Sequence, residues 1–397
     1  MKTLRLQTFI LIFLSFTLGF SEFMVNGLMN DLASQFKVGV GQIGYLVTIF
    51  ALTYSVSTPI ITTLTGKAPL FKVLIILMVS FTIGNFITMF AFNYIILAIS
   101  RIIVATSSGA SISIAMTFAN YLAPRQRRGE MIAGIYSGFS VASVLGLPAG
   151  IWISSHSNWR VTFGTVTVFS IICLTALFFS LPHDLKVQNK GKSIVSQLSL
   201  FKDRRILISI SIIIFCIAGY QTFYTYLRPI LSNNLHFSIA DITFLLTIYG
   251  IGTFISNQAS GKIASKKGLK AMPPLFAIEF LVLASLPLTL LIPWVGIISI
   301  ILLSLLSSLI NSPIQLYILE TSEKDYPQSM VLASSLNAIF TNIGISIGSA
   351  TGGVVSSSIG TGDIGSIGSI YIIITIIVTI ILNKLNQNNI SQKKETT

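Results

Sequence analysis

QTFILIFLSFTLGFSEFMVNGLM, residues 7–29, is an apolar stretch whose one charge is Glu22. About 20 mostly apolar residues suffice to cross a bilayer as a helix. Lys2 and Arg5 in front of it mimic the start of a signal peptide. No small-residue cleavage site follows, however, and the apolar run continues through Met24 to Leu28, so it reads as a membrane span. Eleven further runs of the same kind follow, at about 42–64, 71–92, 94–121, 131–153, 160–181, 205–230, 241–263, 272–291, 294–320, 329–356 and 366–384. The composition agrees. Of 397 residues 53% are hydrophobic and only 9% charged, with a mean hydropathy of +0.83, where a soluble protein carries roughly a quarter charged residues. The expected fold class is an all-α membrane protein with twelve transmembrane helices.

The net charge of +13 does not point to nucleic acid, because phosphate-binding residues would gather on one soluble face. Here the basic residues occupy the gaps between apolar runs. With a cytoplasmic N-terminus, 21 of the 25 lysines and arginines fall on the inner side, Lys37, Arg160 and Arg228 fall outside, and Arg101 lies within the fourth span. Cytoplasmic loops carry such an excess, so a multi-pass protein of the cell membrane with both termini cytoplasmic is expected. The longest polar stretch, Pro182 to Asp203, contains Lys186, Lys190, Lys192 and Lys202. It divides the chain into a six-helix bundle over 1–181, a cytoplasmic linker over 182–204, and a second six-helix bundle with a short tail over 205–397. Cys173 and Cys216 sit in apolar runs and read as free thiols. His156, His183 and His236 are isolated in loops. No cofactor or metal is expected.

The two halves repeat. Thr62 to Lys72 reads TTLTGKAPLFK and Gly261 to Lys270 reads GKIASKKGLK; each follows the second span of its half. Parallel repeats of this kind resemble the two halves of a major facilitator transporter, which implies a substrate site between the halves near the midplane. Gly261, Lys266 and Gly268 match that superfamily's loop motif, although Ser265 stands where the motif has an acid. In the first copy Gly66 takes the acidic position, and both departures put the charge latch that the resemblance implies in doubt.

The fifth span is more specific. Gly138, Ala142, Gly146, Leu147, Pro148, Ala149 and Gly150 resemble the antiporter motif of the twelve-span drug–proton antiporters, and Trp159, Arg160 and Phe163 follow as is usual there. Small residues at helical spacing let helices approach closely, and a proline removes a backbone donor and bends the helix. Gly146 is expected at such a close approach. Ala333-Ser-Ser-Leu-Asn337 with Asn342, Gly344, Gly348, Gly352 and Gly353, and Tyr224-Thr-Tyr-Leu-Arg-Pro229, resemble the sugar-efflux-like branch of that group. Ser108-Gly109 departs from its histidine–glycine pair.

Two charges sit well inside spans, Glu22 and Arg101, and intramembrane charge is costly enough to be a functional hypothesis by default. Each lies about seven residues from the outer end of its span, hence at matching depth. An ion pair, direct or through water, is expected between them. Ser15, Gly19, Glu22 and Asn26 form one polar stripe. Glu279 and Glu320 read as interfacial. In the second half Gln221, the counterpart of Glu22, shares a face with Tyr224 and Arg228. Asn311 and Gln315 share a face with Ser304 and Ser308. Asn337 and Thr341 share a face with Gly344 and Gly348. Together with Asn26, the residues Gln221, Tyr224, Asn311, Gln315, Asn337 and Thr341 are the expected substrate-cavity residues.

The expected activity is proton-coupled export of a small molecule (a drug, sugar or other metabolite) by alternating access, by a monomer whose partners are substrate, protons and the bilayer. Glu22 would carry the proton and Arg101 would bias its charge state, since burial favours a neutral carboxyl and a nearby cation a charged one. A facilitator or proton-coupled importer of the same fold is the alternative. A receptor or an enzyme is disfavoured, because no large extramembrane segment, metal cluster, nucleophile constellation or phosphate loop appears.

Overall fold

A computed structural model describes residues 2–65, 68–124, 128–183 and 198–395. Lys67 and Gly66 of the first loop motif lie outside the described residues. So does most of the linker, with Lys186, Lys190 and Lys192. The described residues form helices and turns without a strand. Among the described residues twelve helices are long and apolar enough to cross a membrane: Leu4–Gly27, Val40–Thr62, Leu70–Met89, Tyr94–Ala119, Gly134–His156, Trp159–Ser180, Arg204–Asn234, Ile239–Lys266, Gly268–Thr289, Pro293–Asp325, Ser335–Ser358 and Thr361–Gln387. A bilayer admits a helix because all of its backbone bonds close within the segment.

Side chains set several boundaries. The Asn93 carboxamide accepts from the Ile96 amide (2.8 Å), and Asn158 accepts from Val161 (3.1 Å), which caps the fourth and sixth spans. Asp203 does the same for Arg205 at the start of the seventh (2.8 Å). Such caps satisfy amides that have no partner within the helix. Hydroxyls inside the spans mostly bond back to their own helix. Ser107, Ser108 and Ser111 of the fourth span reach the carbonyls of Ile103, Val104 and Ser107 at 2.7–2.9 Å. This back-bonding satisfies a serine at membrane depth without a neighbour.

The chain clusters into two compact units. One holds Met1–Asn189 with Phe237–Gly250, and the other holds Lys190–His236 with Ile251–Thr397. In the first unit the first span packs most closely on the fifth. An added Cβ at Gly138 would lie 2.3 Å from the Ile12 carbonyl oxygen, and one at Gly150 would lie 2.5 Å from Met24 Sδ. At Gly146 it would meet Phe23 Cβ at 3.5 Å, an ordinary contact. The close approach expected at Gly146 is therefore made on either side of it. Gly146 instead lies beside the aromatic residues Phe20 and Phe23. Pro148 stays inside the helix and has no amide to donate to the carbonyl four residues earlier.

The second unit repeats this arrangement. Gly344, Gly348 and Gly352 of the eleventh span press on the carbonyls of Ile214, Ala218 and Thr222 of the seventh, at 2.8, 2.4 and 2.7 Å from an added Cβ. The first span ends at Gly27 and is followed, after a turn at Leu28, by the short helix Met29–Phe36. Two of the spans are interrupted. The seventh helix ends at Tyr224, turns through Thr225 and Tyr226, and finishes in a π-turn over Ile230–Asn234. The tenth consists of Pro293–Leu306 and Asn311–Asp325 with a turn between them.

Candidate functional site: a buried arginine and an unpaired carboxylate

Arg101 is 1% exposed, the largest side chain buried so completely. Its guanidinium spans the gap between the fourth and first spans. Nη2 donates to the Ser21 main-chain carbonyl (3.1 Å) and Nη1 makes a long bond to Ser21 Oγ (3.4 Å). Ser21 Oγ donates onward to Asn85 Oδ1 of the third span (2.7 Å), and Asn85 Nδ2 donates to the Phe81 carbonyl (3.0 Å). Phe50 of the second span stacks 4.8 Å from the guanidinium carbon and Phe163 of the sixth lies at 5.8 Å. A cation held against ring faces gains electrostatic attraction where water is excluded. Four neighbouring spans therefore fix Arg101. Its Nε has no hydrogen-bond partner.

A direct ion pair with Glu22 is not made. Among the described residues both ion pairs belong to Arg205. The reason is helical geometry. Arg101 grips Ser21, and the next residue points about 100° away around the helix. The Glu22 carboxylate remains within electrostatic reach of Arg101 and also of Tyr54 in the second span, which is itself within reach of Tyr136 in the fifth. Glu22 is half-buried, whereas Asn26, one turn further on, is buried with its Oδ1 unbonded. The rest of the polar stripe serves packing. An added Cβ at Gly19 would lie 2.9 Å from the Phe139 ring and 3.0 Å from Ala142, and Ser15 is buried with its hydroxyl unbonded.

The antiporter-like residues after the fifth span form a brace. Arg160 Nη2 donates to the Ala91 carbonyl (2.9 Å) and its guanidinium lies over Trp159 at 4.3 Å. Trp159 packs on Phe36 and Phe163. Gly109, which follows the serine in place of the branch's histidine, would bring an added Cβ within 1.8 Å of Thr58 Oγ1. The second and fourth spans touch there.

In the second unit Gln221 and Tyr224 are buried at the interruption of the seventh span. Gln221 Nε2 donates to Thr225 Oγ1 (2.9 Å), and Tyr224 stacks on Tyr220 with ring centroids 5.4 Å apart. Tyr226 is fully buried and donates to the Ser349 carbonyl (3.1 Å), so it ties the seventh span to the eleventh. Asn311 and Gln315, both half-buried, lie on the C-terminal half of the tenth span, and Asn337 and Thr341 are half-buried on the eleventh. The Gly344–Gly348 face that Asn337 and Thr341 were expected to share is the one applied to the seventh span's backbone.

Two features escaped the sequence. One is the turn in the tenth span, where freed amides are taken by the eighth: Ser256 Oγ accepts from the Ser308 amide (3.0 Å) and Ser260 Oγ from the Ser312 amide (2.9 Å). Gly252 completes the row, its added Cβ 1.9 Å from Ser304 Oγ. The common spacing of 52 residues between Gly252 and Ser304, Ser256 and Ser308, and Ser260 and Ser312 was a readable signal. The other is Glu279, expected at the interface but 3% exposed, with Cys216 within its electrostatic reach. Glu320 is exposed.

The family model described as Major Facilitator Superfamily matches residues 11–349. The chain belongs to that superfamily. A transporter of Bacillus subtilis named as an uncharacterized MFS-type transporter, YtbD, is 30% identical over 346 residues, 87% of each chain. A Helicobacter pylori protein named as a probable sugar efflux transporter is 25% identical over 367 residues, 92% of each chain. Among solved structures a D-xylose–proton symporter superposes with a TM-score of 0.75 at 14% identity, covering 94% of this chain and 96% of that one. The nucleoside transporter NupG gives 0.72 at 15% identity, covering 96% and 98%. These likenesses show the fold. The protein is thus a multi-pass membrane transporter with the twelve-helix architecture expected from its apolar runs.

Proposed function

We propose that this transporter exports a small molecule in exchange for protons by alternating access, with Glu22 as the proton carrier. One observation carries the reading: a half-buried carboxylate in the first span has no ion-pair partner, while the nearby cation is anchored elsewhere. A carboxylate locked in a salt bridge is poorly placed to exchange its proton. One that stands free, with a fixed cation acting on it from a short distance, can respond to substrate or to a shift of the helices. Asn26 in the first unit, and Gln221, Tyr224, Asn311, Gln315, Asn337 and Thr341 in the second, supply neutral hydrogen-bonding groups for a polar substrate. The resemblance to the sugar-efflux-like branch of the drug–proton antiporters, and a sugar-efflux relative by name, support outward transport. The excess of inner lysines and arginines supports a cytoplasmic-membrane protein with both termini inside.

The test is a substrate screen in everted vesicles that reads proton release on addition. Glu22→Gln keeps the size and hydrogen bonding of the side chain but cannot exchange a proton. It is expected to bind substrate and to lose accumulation against a gradient together with substrate-induced proton release. A well-folded Glu22→Gln protein with unaltered coupling refutes the assignment. Transport by the wild type without any proton gradient would favour the facilitator instead.

A further inference from the structure

The turn between the eighth and ninth spans gathers several exposed lysines. Lys262 and Lys266 end the eighth span, Lys267 and Lys270 lie in the turn, and Lys384 lies near the end of the twelfth span; all five are exposed. The turn has a defined backbone path. Gly268 adopts φ +54°, the left-handed region open to glycine,. It leads into a short 3₁₀ segment, Gly268–Ala271, whose Leu269 is buried. Asn383 Nδ2 donates to the Leu269 carbonyl (3.2 Å), which brings the end of the twelfth span beside the turn.

None of these lysines is neutralised by an ion pair. Both ion pairs among the described residues are made by Arg205, one of them to Asp325 of the neighbouring tenth span. Ser265, at the position where the loop motif carries an acid, turns its hydroxyl back to the Lys262 carbonyl (3.1 Å). Next to the lysines, on the ninth and twelfth spans, stands an apolar wall exposed from the protein: Ile278, Ile377, Ile380 and Ile381. A cluster of cations at the end of the spans, above an exposed apolar wall, matches an amphiphile with an anionic head and acyl chains.

We propose that this turn and the end of the twelfth span form a binding site for anionic phospholipid, with the headgroup phosphate on Lys266, Lys267, Lys270 and Lys384 and the acyl chains along the isoleucine wall. The proposal rests on membrane embedding and not on export or proton coupling. Its failure would leave those readings untouched, and theirs would leave it standing. Lysines near an anionic membrane surface contribute about 1 kcal/mol each, on the order of fivefold in affinity.

The experiment compares the full-length protein in phosphatidylcholine vesicles with and without phosphatidylglycerol, by thermal unfolding, and counts retained phosphatidylglycerol by native mass spectrometry. The wild type is expected to melt higher with phosphatidylglycerol and to retain it. The triple variant Lys266→Gln, Lys267→Gln, Lys270→Gln changes exposed side chains only. It is expected to melt like the wild type in phosphatidylcholine and to weaken phosphatidylglycerol retention on the order of a hundredfold. Lys72→Gln, an exposed lysine of the other unit, should change neither. Equal retention by wild type and triple variant overturns the proposal. So does stabilisation in pure phosphatidylcholine by millimolar inorganic phosphate to the same extent, which would make the turn a simple anion site.

Discussion

Replacing Gly138 by alanine tests whether the motif in the fifth span works by backbone contact. The added methyl would lie 2.3 Å from the Ile12 carbonyl oxygen, 3.2 Å from its carbonyl carbon and 3.2 Å from the Phe16 nitrogen. Ordinary contact begins at 3.4 Å, so the two helices must part by about 1.1 Å (3.4 minus 2.3) at this point. Each of these atoms is main chain of the first span, and none can rotate aside as a side chain would. Overpacking of a tight interior costs about 1–3 kcal/mol, and opening a gap near 1 Å forfeits a quarter to a half of the dispersion energy of the atoms along it. Gly146→Ala is the matched control, because its methyl meets Phe23 Cβ at an ordinary 3.5 Å and alanine favours the helix over glycine by up to about 1 kcal/mol, so no loss of stability is expected. Thermal unfolding of the purified variants in one detergent, with transport measured in parallel, decides the matter. Gly138→Ala should be clearly less stable and a poor transporter, and Gly146→Ala near wild type in both. Equal behaviour of the two variants would refute the reasoning. A still larger side chain such as leucine at Gly146 would have to displace the Phe20 and Phe23 rings and tests those rings instead of the backbone contact.

Other consequences follow from the same geometry. Gly348→Ala, whose methyl would sit 2.4 Å from the Ala218 carbonyl, should repeat the Gly138→Ala loss in the second unit, read by the same unfolding assay. Arg101→Lys keeps the charge but cannot bond both the hydroxyl and the carbonyl of Ser21 from one plane while facing Phe50. About 1–3 kcal/mol of stability should be lost, and a loss of about the same size is expected for Ser21→Ala, which keeps the carbonyl bond but removes both hydroxyl bonds, the long one from Arg101 and the 2.7 Å one to Asn85,. At the start of the seventh span, Arg205 Nη2 bonds both Asp203 (2.6 Å) and Asp325 (2.5 Å). Burial pushes the Asp203 carboxyl up, but the hydrogen bonds and charge of Arg205, with a hydrogen bond from Tyr326, outweigh it and hold the group below its usual range. A depressed carboxyl stabilises the fold above its unfolded value of about 3.9, and that stabilisation disappears as pH falls through the lower folded value. Melting temperature should therefore be insensitive to this group from pH 5 to 8 and should drop on further acidification. Arg205→Gln should shrink the drop, and an unchanged acid profile in that variant would count against the clasp.

Apolar length decided most of the fold in advance. A bilayer demands about 20 apolar residues per crossing and leaves few other structures open, so the number and order of spans were legible without any contact being known. Side-chain direction was not. Glu22 and Arg101 were rightly placed at one depth on neighbouring helices, yet depth does not fix azimuth, and the guanidinium settled on Ser21. Likewise Glu279 looked interfacial by its position in the ninth span, but burial depends on what the twelfth and seventh spans place around it. The motif glycines were legible as small residues. Which of them meets backbone and which meets a ring depends on fractions of an ångström that spacing cannot carry.

The interruptions of the seventh and tenth spans connect these local facts to transport. An uninterrupted membrane helix spends all of its amides and carbonyls on itself and presents only side chains to a solute. A broken one frees backbone groups at the break, and discontinuous helices are where transporters place substrate and coupling ions. In the tenth span the freed amides of Ser308 and Ser312 are held by Ser256 and Ser260 of the eighth, so the break carries little energetic penalty and can persist. Asn311 begins the helix beyond that break. Gln221 bonds Thr225 at the break in the seventh. Two of the expected cavity residues thus stand where the backbone is least committed to itself. Ser256→Ala and Ser260→Ala together would take the partners from two part-buried amides, which costs up to about 1–3 kcal/mol for each,. If the break serves transport, that double variant should lose transport more steeply than stability, and a loss of stability with full transport per folded molecule would make the break a packing feature alone.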